Sequence, residues 1–167
     1  MESNSTYYKT PIGFAEIIGD NNGIQSIALI DNNTNEQGLE KFNLPQDIPE
    51  CLQECALQLK DYFKGERTKF DLLLNPQGTS FQKLVWKELC NIPFGKTRSY
   101  LAQSKLIGDP KAVRAVASAN GKNPIWIVVP CHRVIGSDGS LTGYAGGLWR
   151  KKWLLDHESP VKQQSLF

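Results

Sequence analysis

The run Pro130-Cys131-His132-Arg133 sets a thiol, an imidazole and a guanidinium on successive residues. A cysteine is a strong nucleophile only as its thiolate, and an imidazole close by can take the thiol proton. An acid is then needed to orient the imidazole. Glu158 fits, because a helix ahead of it can fold back over the site. Adjacent residues on an extended segment point apart, so Cys131 and His132 are expected to communicate through a water. An isolated cysteine is by default a small buried hydrophobe. The adjoining histidine and arginine and the glycine-rich loops on either side argue for chemistry here instead.

Other residue groups suggest chemistry and fail on spacing. Gly95-Lys96-Thr97 resembles the end of a phosphate-binding loop, but that loop needs a glycine five residues earlier, where Cys90 stands. Cys51 and Cys55 lie four apart on an expected helix, yet no histidine or further cysteine occurs in that half to complete a metal site. With only His132 and His157 in the chain, a histidine-rich zinc site is not expected either. The four cysteines show no C-x-x-C spacing and read as free thiols of a reducing compartment.

These residues must be positioned by elements that the pattern makes visible. Residues 7–31 alternate β-branched and aromatic residues with turn signals and predict a hairpin or meander. Residues 32–48 read as a polar loop. A helix is predicted from Ile48-Pro49 to Phe63, with Leu52, Cys55, Leu59 and Phe63 on one face and Gly65 ending it. Phe70–Leu74 reads as a last strand, and Pro76–Gly78 as a boundary. Beyond it, Ser80–Leu89 predicts a helix burying Phe81, Leu84, Val85 and Leu89. Ser99 caps a short helix to about Ile107, and Gly108 breaks it. Asp109 as N-cap and Pro110 at the first helical position start the next helix, Lys111 to about Ala119. The pair forms a helix-turn-helix pattern. On its second helix Lys111, Arg114 and Ser118 share a polar arc, Val113, Val116 and Ala117 face inward, and Ala112, Ala115 and Ala119 form a small-residue flank. Ile125–Val129 reads as a buried strand ended by Pro130. Gly136–Ser140 is a turn, Gly143–Gly147 a loop, and Trp149–His157 a last helix.

Charge divides at the same place. Residues 1–78 hold six Lys and Arg against twelve Asp and Glu; residues 79–167 hold thirteen against five. A half with net charge +8 next to one at −6 suggests that the second half faces a polyanion. No apolar run approaches the roughly 20 residues of a membrane span, and Met1–Lys9 lack the apolar segment of a secretory signal. A cytoplasmic protein with no membrane partner is expected.

The second half resembles the O6-alkylguanine-DNA alkyltransferase family. The likeness rests on Asn123-Pro124, Ile127–Ile135, Gly143-Tyr144-Ala145-Gly146-Gly147, Tyr100, Pro110–Val116 and Leu154–Glu158, and covers nearly all of residues 79–158. The first half resembles the family's N-terminal domain only in size and order of elements. The resemblance implies an α+β protein. A small acidic, strand-rich N-terminal domain (1–78) precedes a helix-turn-helix, winged-helix-like alkyltransferase domain (79–159), and a flexible tail follows (160–167). It also implies direct, single-turnover transfer of an alkyl group from O6 of a flipped guanine to Cys131, without metal or other cofactor. His132 acts as base through a water, and Glu158 orients it. Asn123 braces the loop, Tyr100 donates to the leaving guanine, and Arg114 fills the gap in the duplex. Gln82 and Ser137 stand where family members contact the DNA backbone.

One departure concerns packing. The apolar pair that the family carries three and four residues after the tyrosine is here Gln103-Ser104. Two other functions remain open at this point: a non-catalytic helix-turn-helix regulator, and a thiol hydrolase using Cys131 and a histidine. The tail Gln163-Gln164-Ser165-Leu166-Phe167 resembles the peptide by which bacterial replication and repair proteins bind a sliding clamp, with Gln163, Leu166 and Phe167 as anchors. A bacterial monomer, at the nucleoid when bound to double-stranded DNA containing O6-alkylguanine, is the resulting expectation.

Overall fold

The computed structural model describes residues 3–31 and 48–160. Residues 32–47 of the expected loop and the clamp-like residues Gln163, Leu166 and Phe167 lie outside them. The chain forms two compact units. The first comprises Met1–Gln77 together with Pro124–Trp126; the second comprises Gly78–Asn123 and Ile127–Phe167.

In the first unit, β1 (Asn4–Thr10), β2 (Gly13–Asp20) and β3 (Gly23–Ile30) make an antiparallel meander in that spatial order. The turns are chemically specified. Thr10 Oγ1 accepts from Ile12 N and donates to Gly13 O, while Asp20 Oδ1 accepts from Asn22 N at 2.7 Å. Gly23 has φ +132°, and a Cβ there would meet Leu73 O at 2.8 Å. Only glycine permits both the turn and that close approach. Helix α1 (Glu50–Phe63) packs on the sheet and buries Leu52, Cys55, Ala56, Leu59 and Tyr62. Burial pushes the Cys55 thiol up to about 12, which makes it inert packing.

Two expectations for this unit need correction. Phe63 is only half-buried; Tyr62 takes the inward place, with its ring against Phe63 and Phe70 at 5.2 and 5.5 Å. Phe70–Leu74 is not a strand. It makes one parallel bridge, Leu74 with Ile24, through Ile24 N to Leu73 O and Asn75 N to Ile24 O. Leu73 is well exposed, so the run has an apolar sequence without a buried face. Ile27 bridges Ile125: Ile27 N donates to Pro124 O at 2.9 Å and Trp126 N to Ile27 O at 3.0 Å.

The second unit holds α2 (Ser80–Leu89), β4 (Arg98–Ser99), α3 (Tyr100–Ile107), α4 (Val113–Gly121), β5 (Val134–Ile135) and α5 (Leu148–Glu158). Short strands β4 and β5 pair in parallel beside the helix-turn-helix of α3 and α4. Thr79 and Gln82 close a capping box on α2, and Ser99 Oγ accepts from Ala102 N at the start of α3. Gly108, with φ +102°, ends α3 in the left-handed conformation.

Helix α2 is rotated from expectation. It buries Val85, Trp86 and Leu89 and exposes Phe81 and Leu84. The Trp86 indole N–H finds Ala119 O at 2.8 Å, so the largest side chain turns inward with its one donor satisfied. Helix α4 starts at Val113 rather than Lys111. Asp109 spends its carboxylate on Lys111 N and its carbonyl on Ala112 N, which makes a turn rather than a helix cap. Lys111, Arg114 and Ser118 are exposed as expected; Val116 and Ala119 are buried, whereas Val113 and Ala117 are only half-buried. Among the described residues no helix is long and apolar enough to cross a membrane.

Candidate active site

The segment from Asn123 to Arg133 presents the thiol. It is not the strand that its apolar run suggests: beyond the bridge at Ile125, residues 126–128 form a turn. Ile127 has φ +73°, a conformation that costs a β-branched residue about 1–3 kcal/mol and persists only where its surroundings enforce it. Here the side chain is buried and the flanking backbone is bonded. Asn123 N donates to Asn120 O, Asn123 Nδ2 donates to Val129 O at 2.8 Å, and Cys131 N donates to the same carbonyl at 2.8 Å. Residues Cys131–Arg133 then make one turn of 3-10 helix. Cys131 and His132 therefore sit on a tight turn, not on an extended segment. The Cys131 thiol is buried, and burial pushes it up; the Asn123 side chain bonded to it and the Lys151 ammonium act in the opposite sense without reversing the shift.

Behind the thiol lies a buried charge cluster. Arg133 grips Glu158 at the end of α5 with both carboxylate oxygens engaged, Nε to Oε1 at 2.7 Å and Nη2 to Oε2 at 3.0 Å. Its remaining Nη1 donates to Ile92 O at 2.7 Å. His132 Nε2 lies 2.8 Å from Glu158 Oε2. Burial alone would raise the Glu158 carboxyl, but the hydrogen bond from His132 and the bonds and charge of Arg133 outweigh it and hold it well below the usual carboxylate range. An ionised carboxylate only accepts, so Nε2 must carry the imidazole proton. Nδ1 is then the basic nitrogen. It is buried and has no hydrogen-bond partner among the described residues. Burial also lowers the imidazole pKa, more than Glu158 raises it, and keeps the ring neutral at physiological pH.

The thiol opens into a cavity of about 390 Å³ that Tyr100 and Arg114 also line, with Val113, Ala117 and Asn120 on the helix-turn-helix side and residues 142–145 on the loop side. That volume is in the range of a small-molecule site. Two side chains hold the loop. Tyr100 Oη donates to Thr142 O at 2.9 Å, and the buried Lys151 ammonium donates to Thr142 O and Gly143 O at 3.1 Å each.

The fold thus bonds Cys131 to Asn123 and, from the next residue, His132 to Glu158, and places Tyr100 and Arg114 on the cavity that Cys131 shares. Gln82 and Ser137 are not among the cavity residues. Gln82 Oε1 accepts from Thr79 N in the α2 cap, and Ser137 stands exposed in the turn after β5. Residue pattern alone assigns no role to Arg133, Lys151 or Asn120. Lys151 is the hardest of them to find, because a lysine in a basic helix reads as solvated. Its spacing from Leu154 and Glu158 at i, i+3 and i+7 is the signal that places it on the buried face.

Comparison with known proteins supplies the family context. Residues 80–160 match the family described as 6-O-methylguanine DNA methyltransferase, DNA binding domain, and residues 5–76 match the ribonuclease-like domain of the same methyltransferase. A methylated-DNA–protein-cysteine methyltransferase of Methanosarcina barkeri is 46% identical over 153 residues, covering 90% of this chain and 93% of its own. Among solved structures, the O6-methylguanine methyltransferase of Mycobacterium tuberculosis superposes with TM-score 0.80 at 39% identity, over 99% of this chain and 100% of its own. A second M. tuberculosis structure, OGT in complex with DNA, gives TM-score 0.79 at 41% identity, over 95% and 96%.

Proposed function

Because this chain belongs to the 6-O-methylguanine DNA methyltransferase family, we propose that its repair of DNA by alkyl transfer runs through Cys131 as acceptor. His132 is the base and Glu158 orients it. Asn123 braces the loop that carries the thiol, Tyr100 donates to the leaving guanine, and Arg114 fills the gap in the duplex. The observation that carries this assignment is the Arg133–Glu158–His132 chain, which leaves Nδ1 as a buried base on the residue that follows the cavity-lining Cys131.

The thiol proton passes to Nδ1 through one water. The Cys131 sulfur attacks the alkyl carbon, a C–S bond forms, and the carbon–O6 bond breaks with its electron pair going to guanine. Tyr100, its hydroxyl released from Thr142 O, donates a proton to the leaving guanine, and the proton that His132 took from sulfur returns through water to Tyr100, so that guanine leaves neutral and both side chains are restored. Holding the thiol protonated at rest suits this order, since a buried thiolate without substrate would be unpaired. The thioether has no easy route to hydrolysis, so each molecule acts once. The target base must leave the duplex, at a cost of a few kcal/mol, and Arg114, exposed in the first turn of α4, is placed to fill the gap. Gln82, whose Nε2 is not used in the cap, and Ser137 supply backbone contacts. Residues 79–159 carry all of these roles, and residues 1–78, completed by Pro124–Trp126, form the N-terminal domain.

Cys131→Ser tests the acceptor. The variant is expected to bind duplex DNA and to gain no alkyl mass on exposure to O6-methylguanine DNA, whereas the wild type gains one methyl group on Cys131. Alkyl transfer to another residue, or repeated turnover, would overturn the assignment. The finer reading of partners and place is a bacterial, nucleoid-associated monomer whose tail docks on a sliding clamp. It rests on the Gln163, Leu166 and Phe167 pattern and is tested with a chain ending at Lys162, which is expected to lose clamp binding that the full chain shows.

A further inference from the structure

The departure at Gln103-Ser104 has a structural partner. Both side chains are fully buried between the helices of the helix-turn-helix, where an unpaired amide would be costly. Ser104 Oγ donates to Tyr100 O one turn back. Gln103 Nε2 donates to Asn120 Oδ1 at 3.1 Å, and Asn120 Nδ2 donates to Gln103 Oε1 at 2.9 Å. The two amides thus close a reciprocal ring of hydrogen bonds between α3 and α4.

Asn120 also lines the cavity next to Cys131. Its neighbours on that wall, Ala117 and Gly121, and Gly143 and Ala145 on the loop, have no side chain long enough to change the free space by rotating. Asn120 has one. Its amide is drawn onto Gln103 by both of its bonds, and its remaining polar valences have no other partner among the described residues. We infer that Gln103 is a positioning residue for alkyl-size selectivity: by holding the Asn120 amide on α3 it keeps the space beside Cys131 open to groups larger than methyl. This rests on the reading of Cys131 as acceptor. Without Gln103, the Asn120 amide must find polar partners elsewhere, and the cavity is the place where water can supply them. The side chain then occupies volume that a bulky O6 substituent needs and a methyl group does not.

The test follows adduct formation on Cys131 by intact mass, under single-turnover conditions, with duplex oligonucleotides carrying O6-methylguanine or O6-benzylguanine. Gln103→Leu is expected to slow benzyl transfer about tenfold more than methyl transfer, the scale on which a pocket discriminates small changes in apolar fit. Gln103→Leu with Asn120→Ala removes the stranded amide and is expected to restore the wild-type ratio. Gln103→Met carries the same expectation if the leucine variant does not fold. Equal slowing of both substrates by the single variant, or a ratio that the double variant fails to restore, would overturn the inference while leaving the acceptor in place. Absence of any adduct on Cys131 of the wild type would instead refute the acceptor itself.

Discussion

Two buried polar clusters reach the cavity lining, one through Asn120 itself and one through His132, the residue after Cys131, and they differ in one respect. The Gln103–Asn120 ring is neutral and reciprocal, each amide serving the other. The Arg133–Glu158–His132 chain is charged and ends on a nitrogen with no protein partner among the described residues. A reciprocal ring of two amides holds no group that titrates near neutral pH, so it can only fix shape. A chain with one open end, whose other end is locked by a bidentate ion pair, fixes the tautomer and leaves a base exposed to chemistry. Burial alone does not distinguish the two clusters; an open valence on a titratable nitrogen does.

The sharpest way to break this contrast is at Glu158. Glu158→Gln strands a buried guanidinium without its counter-charge and replaces an obligate acceptor with a group that also donates. Breaking a buried pair costs about 3–5 kcal/mol, so denaturant unfolding should shift by that amount. Cys131 adduct formation should fall by orders of magnitude, because either ring nitrogen can then carry the proton. Unchanged transfer would mean that the carboxylate does not set the tautomer.

Acid probes the same cluster without mutation. The His132 pKa is lower in the fold than its ordinary 6.5, so the unfolded chain binds a proton that the fold refuses, and stability is lost as pH falls below about 6.5. Glu158 is likewise depressed from 4.5, and its contribution, complete above that value, is lost as pH falls further below it. Urea melts from pH 8 to pH 2 should therefore show stability declining in two stages, and the acid limb of the transfer rate should lie below pH 6.5. A His132→Gln variant should lack the first stage.

The smallest effect is expected at the closed ring. Gln103→Leu alone exchanges the protein partner of the Asn120 amide for cavity water and should cost about 0.5–1.5 kcal/mol, whereas replacing both partners by leucine should be nearly neutral. Urea midpoints of the single and double variants decide this. A double variant as unstable as the sum of its singles would show that the ring contributes more than mutual satisfaction.

Legibility in the sequence followed periodicity and failed where burial was decided elsewhere. The meander at 4–30, helix α1 and helices α2 and α3 emerge from alternation, capping residues and glycine stops. Ile125–Val129 has the composition of a buried strand and is indeed buried, but only Ile125 has a strand partner, and Ile127 turns left-handed. Composition reports burial, not backbone shape. The thiol, imidazole and carboxylate are legible as a chemical set, whereas Lys151 and the Gln103–Asn120 ring are not. The ring needs a contact between two helices that no single-helix pattern contains, and Lys151, though its spacing marks a buried face, needs the loop carbonyls of Thr142 and Gly143 to explain it.

The three residues Pro124–Trp126, which complete the first unit from far along the chain, bear on synthesis. A ribosome adds about 5–20 residues per second, so several seconds separate Gln77 from Trp126. Throughout that interval the N–H and C=O of Ile27 on β3 lack the partners they have in the finished protein, on the edge of a three-stranded sheet. An unpaired edge is a template for another chain. The nascent protein is therefore most exposed to misassociation before the segment leading to Cys131 has been made, and that segment, on arriving, seals the edge.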